Sequence, residues 1–233
     1  MTELLAGELT GQGPALEVGV GTGQVALPLH EAGVRVVGLD LARPMMDELI
    51  KKAGGRAPFP LVQGDATRMP FGDGVFGGAY LRWVLHLIPD WRAALGEIVR
   101  VVRPSGVLLA ALGDRHGGRR GEIQERVADL AGVLVEPAGL GWADYESLDE
   151  AMATHGAVKR PLPRFTEVAR DGVAEFVDGL EQGAFSWTWK IDPEVLANVV
   201  DQVRRWAEDR WGPLAAIPRD AYEVVWVAYD LPG

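Results

Sequence analysis

The chain has 233 residues, 48% of them hydrophobic and 24% charged, which suits one domain with a sizeable core, alone or with an insertion, and excludes a disordered chain. A net charge of −10 disfavours a polyanionic partner, so no nucleic acid is expected. The absence of cysteine excludes disulfides, thiolate metal sites and a cysteine nucleophile; no apolar run reaches the roughly 18 residues of a membrane span, and no basic-then-apolar start marks an export signal, so a cytoplasmic chain without a membrane partner is expected.

Strand and helix signals alternate through the first half, the mark of a parallel sheet. Residues 15–20 read as a first strand, followed by a short helix over 22–32 that Gly33 stops and in which Pro28 costs a hydrogen bond. Residues 35–40 are a second strand. Residues 44–53 are a helix with Pro44 in its first turn, Met45, Leu49 and Ala53 on one face and Gly54-Gly55 beyond its end. A third strand over 59–64 contains Pro60, which argues for a place near the sheet edge. A fourth strand covers 75–81, a helix 91–102, a turn 103–106 and a fifth strand 107–112. Arg115, His116, Arg119 and Arg120 form the one basic cluster, glycine-rich and read as a solvated loop. Beyond it, helices are predicted over 121–134, 144–154, 171–182 and 193–211, an extended segment over 157–168 broken by Pro161 and Pro163, and a final strand over 222–229.

The most informative local signal is Leu16-Glu17-Val18-Gly19-Val20-Gly21-Thr22-Gly23. Its spacing is G-x-G-x-G; Gln24 stands where a dinucleotide fingerprint has its third glycine. Gly19, Gly21 and Gly23 remove Cβ atoms where backbone must pass close under a ligand. Open α/β sheets place ligands there, at the carboxyl ends of their strands. Asp40 ends the second strand, 17 residues after Gly23, and can accept both hydroxyls of a ribose. Glu17 sets an acid near the loop, which suits a cationic cofactor and not a pyrophosphate. Leu41 and Met45 are placed to flank an adenine. Taken singly, Asp40 reads as a strand-end cap, and Asp65 as an Asx turn or helix cap before Thr67.

That loop, followed in order by Gly38-Leu39-Asp40-Leu41-Ala42, Gln63-Gly64-Asp65-Ala66, Trp83-Val84-Leu85-His86-Leu87-Ile88-Pro89-Asp90 and Ile98-Val99-Arg100-Val101-Val102-Arg103-Pro104-Ser105-Gly106, resembles a class I S-adenosylmethionine-dependent methyltransferase, most closely the ubiquinone/menaquinone-biosynthesis-like group. The resemblance covers residues 14–112. It implies S-adenosylmethionine as cofactor, held by Glu17, Gly19, Gly21, Thr22, Gly23, Asp40, Leu41 and Met45, with Asp65 accepting from the adenine amine, the Ala66 backbone beside the ring and the Leu81 carbonyl at the methionyl ammonium. The implied fold is α/β, a doubly wound, mainly parallel seven-stranded Rossmann-like sheet with a helical lid inserted after the fifth strand. The expected domains are a cofactor-binding core over 1–112, a lid and substrate region over 113–220 that includes a returning strand near 157–168, and the last core strand over 221–233. Two features depart from the family. Gly77 stands where an aspartate is common, and the first strand begins about 14 residues into the chain, where relatives carry a longer helical cover.

Displacement of a methyl group from a sulfonium asks the protein mainly to hold the acceptor about 3 Å away and to exclude water. A base is needed only when the acceptor must first lose a proton. His86 is the candidate base, against a reading in which it only packs or bonds within the following helix. Arg82 and Trp83 are candidate lining for the acceptor pocket. The run Phe185-Ser186-Trp187-Thr188-Trp189, with Phe176, Trp206 and Trp211, reads as an interhelical core or as an aromatic acceptor pocket in which Trp187 and Trp189 take part. His30, His116 and His155 are not grouped with carboxylates, so no metal is expected. The favoured activity is methyl transfer to a small, partly apolar molecule; the alternatives are a non-catalytic S-adenosylmethionine-binding module and a nicotinamide-dependent oxidoreductase.

Overall fold

A computed structural model describes residues 1–113, 118–134, 136–169 and 171–233. In chain order its elements are α1 (Thr2–Leu9), β1 (Ala15–Val18), α2 (Ala26–Glu31), β2 (Val36–Asp40), α3 (Arg43–Lys52), β3 (Leu61–Gln63), β4 (Phe76–Arg82), α4 (Trp91–Val101) and β5 (Val102–Ala111). Then follow α5 (Gly118–Ala131), α6 (Tyr145–Thr154), β6 (Val158–Pro161), β7 (Phe165–Val168), α7 (Val173–Glu181), α8 (Pro193–Trp211), β8 (Ala221–Val224) and β9 (Val227–Asp230). The chain divides into two compact units, one from residues 1–113, 137–164 and 225–233, the other from 114–136 and 165–224.

The first unit is built on a seven-stranded sheet of order β3-β2-β1-β4-β5-β9-β6. Strands β1 to β5 pair in parallel, and β9 runs antiparallel to both β5 and β6. This is the mainly parallel, seven-stranded α/β sheet that the sequence predicts. The chain steps outward from β1 through β2 to the edge at β3, then returns to lay β4 on the other side of β1. That reversal opens a crevice beyond the carboxyl ends of β1 and β4, where such sheets take their ligands. Strands covered on both faces need no polar alternation, and all of β1 and all of β4 but Arg82 are buried. Their side chains meet Leu95, Ile98 and Leu108 in one continuous core.

The structure departs from the sequence prediction in several places, each with a local cause. α1 is unforeseen; it forms because Leu5 and Leu9, one turn apart, are both buried. Its Glu8 accepts from Arg160 of β6 at 2.9 and 2.7 Å, and the same guanidinium reaches Asp230 of β9 at 3.1 Å. α2 starts at Ala26, not at 22, so Pro28 falls in the first turn, where its missing N–H has no intrahelical acceptor to lose. In α3 the buried face is Met46 and Leu49, which leaves Met45 exposed. The turn over 103–106 is a bulge within β5: the register jumps from Phe76 opposite Val102 to Gly78 opposite Val107, with Ser105 at φ +57°.

The predicted final strand is two strands in two sheets. β8 pairs with β7, whereas β9 enters the large sheet, and Trp226, fully buried, lies between them. The extended segment over 157–168 divides in the same way, at Leu162-Pro163-Arg164. The segment expected as a single lid and substrate region is therefore shared: residues 137–164 belong to the sheet unit because β6 pairs with β9.

The second unit packs α5, α7 and α8 around Ile123, Val127, Phe176, Val177, Val200 and Val203, beside the β7–β8 ribbon. The boundaries of α8 match the prediction, with Pro193 in its first turn and Asp192 capping it through the Glu194 and Val195 amides. Of the basic cluster, Arg115 and His116 lie outside the described residues. Arg119 and Arg120 are helical rather than in a loop; Arg119 pairs with Asp220 at 2.6 Å, and Arg120 donates to the Asp171 carbonyl. No helix among the described residues is long and apolar enough to cross a membrane.

Candidate cofactor and acceptor site

The glycine loop leaves β1 with φ of +75° at Gly19, +51° at Gly21 and +77° at Gly23, a region that L side chains rarely adopt. Space sets the three apart. A Cβ on Gly19 would lie 2.5 Å from Val84 Cγ2, and one on Gly23 would lie 2.9 Å from Leu49 Cγ. On Gly21 the nearest atom would be Met45 Cε at 3.8 Å. Gly19 and Gly23 thus serve packing, while Gly21 forms an open cradle, with Thr22 half-buried beside it.

Asp40 stands at the carboxyl end of β2 and pins this loop. Its Oδ2 accepts from the Gly21 N–H at 2.7 Å and its Oδ1 from the Ala42 N–H at 2.8 Å. Each carboxylate oxygen keeps a further lone pair, so two hydroxyls can still be received. Leu41, 68% exposed, and Met45, 42% exposed, flank the same spot and offer apolar surface to a planar ring. Asp65 lies two residues beyond β3, and the Gln63 side chain donates to the Leu41 carbonyl at 3.2 Å, tying the two strand ends together. The Thr67 amide and hydroxyl both donate to Asp65 Oδ1 at 2.8 Å, and these bonds hold its carboxyl below the usual range. An Asx turn is therefore formed on one oxygen only. Ala66, next to it, is half-buried against the core.

Glu17 is 3% exposed and sits directly across from Tyr80 in the β1–β4 register. Burial pushes its carboxyl well above the usual range, opposed by the Tyr80 hydroxyl and the Ala26 backbone; Asp40 adds to the rise and Arg82 reduces it. Tyr80 is likewise raised, by burial and then by Glu17. While Glu17 holds its proton, the negative charge of the site rests on Asp40. The folded protein keeps the Glu17 proton at a pH where the unfolded chain has lost it, so stability falls as pH rises from about 4.3 toward the folded value. Glu17→Gln removes this pH-dependent loss. The variant should match the parent near pH 4 and exceed it in melting temperature by a margin that widens toward pH 8, each unit of raised pKa being worth about 1.4 kcal/mol. Parallel melting curves across that range would show Glu17 to be ionised in the folded state.

At the end of β4, Leu81 is buried opposite Val18. The Arg82 guanidinium stacks 4.1 Å over the Trp83 ring and its Nη1 lies 3.6 Å from Met1 Sδ. Trp83 takes φ +54°, uncommon outside glycine, and donates its N–H to the Ala111 carbonyl at 2.9 Å. His86 follows in a 3₁₀ turn over Leu85–Leu87, and its ring lies 4.3 Å from that of Trp142 at 37°. Sequence reasoning missed Val84, which fills the place of the Gly19 side chain, and Trp142, whose only local hint is the pair of glycines just before it, at 139 and 141. Trp187 packs half-buried against the core of the second unit, and Trp189 is 70% exposed with its indole N–H donated to the Gly183 carbonyl.

Residues 16–110, which carry the loop, Asp40, Asp65 and the end of β4, match the family described as "Methyltransferase domain". This segment is similar to methyltransferase domains. Demethylmenaquinone methyltransferase of Thermus thermophilus is 37% identical over 97 residues, which covers 40% of this chain and 44% of that protein. The protein of the same name from Mycobacterium tuberculosis is 37% identical over 94 residues, covering 40% and 38%. The match thus spans less than half the length of these relatives. Among solved structures, a putative type II methyltransferase from Anaeromyxobacter dehalogenans has a TM-score of 0.71 at 19% identity and covers 100% of this chain and 96% of its own. The YcgJ protein of Bacillus subtilis has a TM-score of 0.64 at 16% identity, covering 100% and 98%. At these identities the likeness is one of fold.

The departure at Gly77 has a local cause. A Cβ there would overlap the Gln12 carbonyl oxygen, and the Gly77 N–H donates to the Pro14 carbonyl at 2.9 Å. The segment leading into β1 runs so close to β4 that no side chain fits.

Proposed function

We propose that this chain transfers the methyl group of S-adenosylmethionine to a small, partly apolar molecule. The contact between Asp40 and Gly21 carries the reading. A pyrophosphate-binding loop aims free amides at its ligand. Here the Gly21 amide is taken by a carboxylate at 2.7 Å, so the loop presents acceptors and negative charge. That suits ribose hydroxyls on a cationic cofactor better than a pyrophosphate at the same loop.

The remaining groups fit the same ligand. Asp40 would hold the ribose, Leu41, Met45 and the Ala66 backbone the adenine faces, and Asp65 the exocyclic amine. Gly21 leaves room for the backbone to approach, and the Leu81 carbonyl at the mouth of the crevice suits the ammonium. When bound, S-adenosylmethionine supplies a methyl already activated by its sulfonium leaving group. The protein's share is to orient the acceptor, exclude water and, where needed, remove a proton. The net charge of −10 favours a small acceptor over a nucleic acid, and the relatives are named for demethylmenaquinone.

S-adenosylhomocysteine at about one hundred times its dissociation constant should stabilise the protein by about 2.7 kcal/mol, a rise of several degrees in melting temperature. NADH should leave the melting temperature where it is. A rise with NADH and none with S-adenosylhomocysteine would establish the oxidoreductase alternative instead.

A further inference from the structure

The segment after β5 returns to the carboxyl ends of β4 and β5 and covers the turn that follows β4. The Gly139 N–H donates to the His86 carbonyl at 3.0 Å and the Leu140 N–H to the Leu85 carbonyl at 3.1 Å. A Cβ on Gly139 would overlap the Leu85 and Ile88 carbonyl oxygens, so the two backbones touch. Three residues on, Ala143 adopts φ +51° and donates its N–H to the Gly113 carbonyl at 2.8 Å. These bonds deliver Trp142 onto the His86 ring at 4.3 Å, with Gly113 beneath both: a Cβ there would lie 3.1 Å from Trp142 Cζ3 and 3.5 Å from His86 Nδ1. Tyr145 locks the segment, accepting from the Leu112 N–H at 3.1 Å and donating to the Val225 carbonyl at 2.7 Å. Two residues before His86, Val84 touches the place of the Gly19 side chain in the cofactor loop.

We propose that Trp142 is a positioning residue that holds the His86 imidazole at the end of β4 and favours its protonated form, so that His86 accepts the proton of a hydroxyl acceptor. This rests on the methyl-transfer reading above. An indole face attracts a cation, so the imidazolium formed on proton uptake is stabilised where it stands. The step balances: the acceptor O–H bond breaks and its proton goes to the His86 nitrogen. The electron pair left on oxygen forms the new bond to the methyl carbon, and the carbon–sulfur bond breaks with its pair on sulfur. His86 then returns the proton to solvent. Among the described residues, charged groups on the neighbouring segments include Arg82, stacked on Trp83, Asp90, which caps α4 through the Ala93 N–H, and Asp144, which caps α6 through the Ser147 N–H.

The test is the pH titration of the His86 imidazole by NMR, its resonance assigned with His86→Gln, in the parent protein, Trp142→Ala and Trp142→Phe. Loss of the indole should lower the midpoint by about half a unit to one unit, and phenylalanine should restore at least part of it. A midpoint that rises or stays in Trp142→Ala would make the ring a mere cover over a neutral imidazole and overturn the proposal. Equal midpoints in the alanine and phenylalanine variants would do the same. The titration needs no cofactor, so it fails or holds apart from the methyl-transfer reading, which the S-adenosylhomocysteine melting shift of the parent protein decides. Trp142→Ala should keep that shift, because its ring packs on His86 and beside Gly113, away from Asp40 and Gly21 in sequence and in the contacts described.

Discussion

Gly77→Ala should destabilise the protein by about 3 kcal/mol, the upper end of what an extra methyl costs in a packed interior. The added carbon meets the Gln12 backbone, not the end of a flexible side chain, so the strand entry itself must move. Movement there breaks the Gly77 bond to the Pro14 carbonyl and disturbs the bond that Arg103 makes to the Gln12 side chain at 2.5 Å. Thermal unfolding reads the effect as a fall of roughly 6–12 °C. Gly96 supplies the control: it lies within α4, and nothing stands within 4 Å of a Cβ built on it. Gly96→Ala should be stabilising by up to about 1 kcal/mol. An unchanged melting temperature in Gly77→Ala would mean that residues 12–14 do not run against β4.

Asp40→Ala should weaken S-adenosylhomocysteine binding by about 100-fold. Two effects combine. The charge-assisted bonds to the ribose disappear, each worth about 1.5–3 kcal/mol. The loop also loses its anchor, because the Gly21 and Ala42 amides both donate to this carboxylate. Asp40→Asn keeps one acceptor oxygen and turns a donor toward the other partner, so it should fall between the parent and the alanine variant. Calorimetric titration measures all three. Binding by Asp40→Ala within threefold of the parent would remove Asp40 from the cofactor site and leave it a loop pin.

The parts of the molecule legible in the sequence are those in which chemistry and local pattern coincide. The apolar run before Gly19, the acid at the end of the next strand and the placing of Asp40 and Asp65 at successive strand ends pointed to a mainly parallel α/β sheet and to the candidate site together. Pro60 was a sound guide, since β3 is the sheet edge. Where neighbours in space decide, local pattern misleads. Residues 222–229 read as one β-branched and aromatic strand, yet the chain changes sheets at Trp226 because β7 claims one half and β5 the other. Met45 and Met46 are indistinguishable by type, and helix rotation alone buries Met46 and leaves Met45 beside Gly21. Glu17 reads as an anion in the sequence, but its place between strands raises its pKa, which no neighbour in sequence reveals. Trp142 lies 56 residues from His86, and only the return of the chain onto the carboxyl ends of β4 and β5 brings the rings together.

The most direct test of the cofactor site is a crystal structure of the protein grown with S-adenosylhomocysteine. The ribose hydroxyls should lie within hydrogen-bond distance of Asp40, the adenine between Leu41, Met45 and Ala66, and the ammonium at the Leu81 carbonyl. A ligand bound away from Asp40, or a ribose whose hydroxyls find other partners, would contradict the assignment.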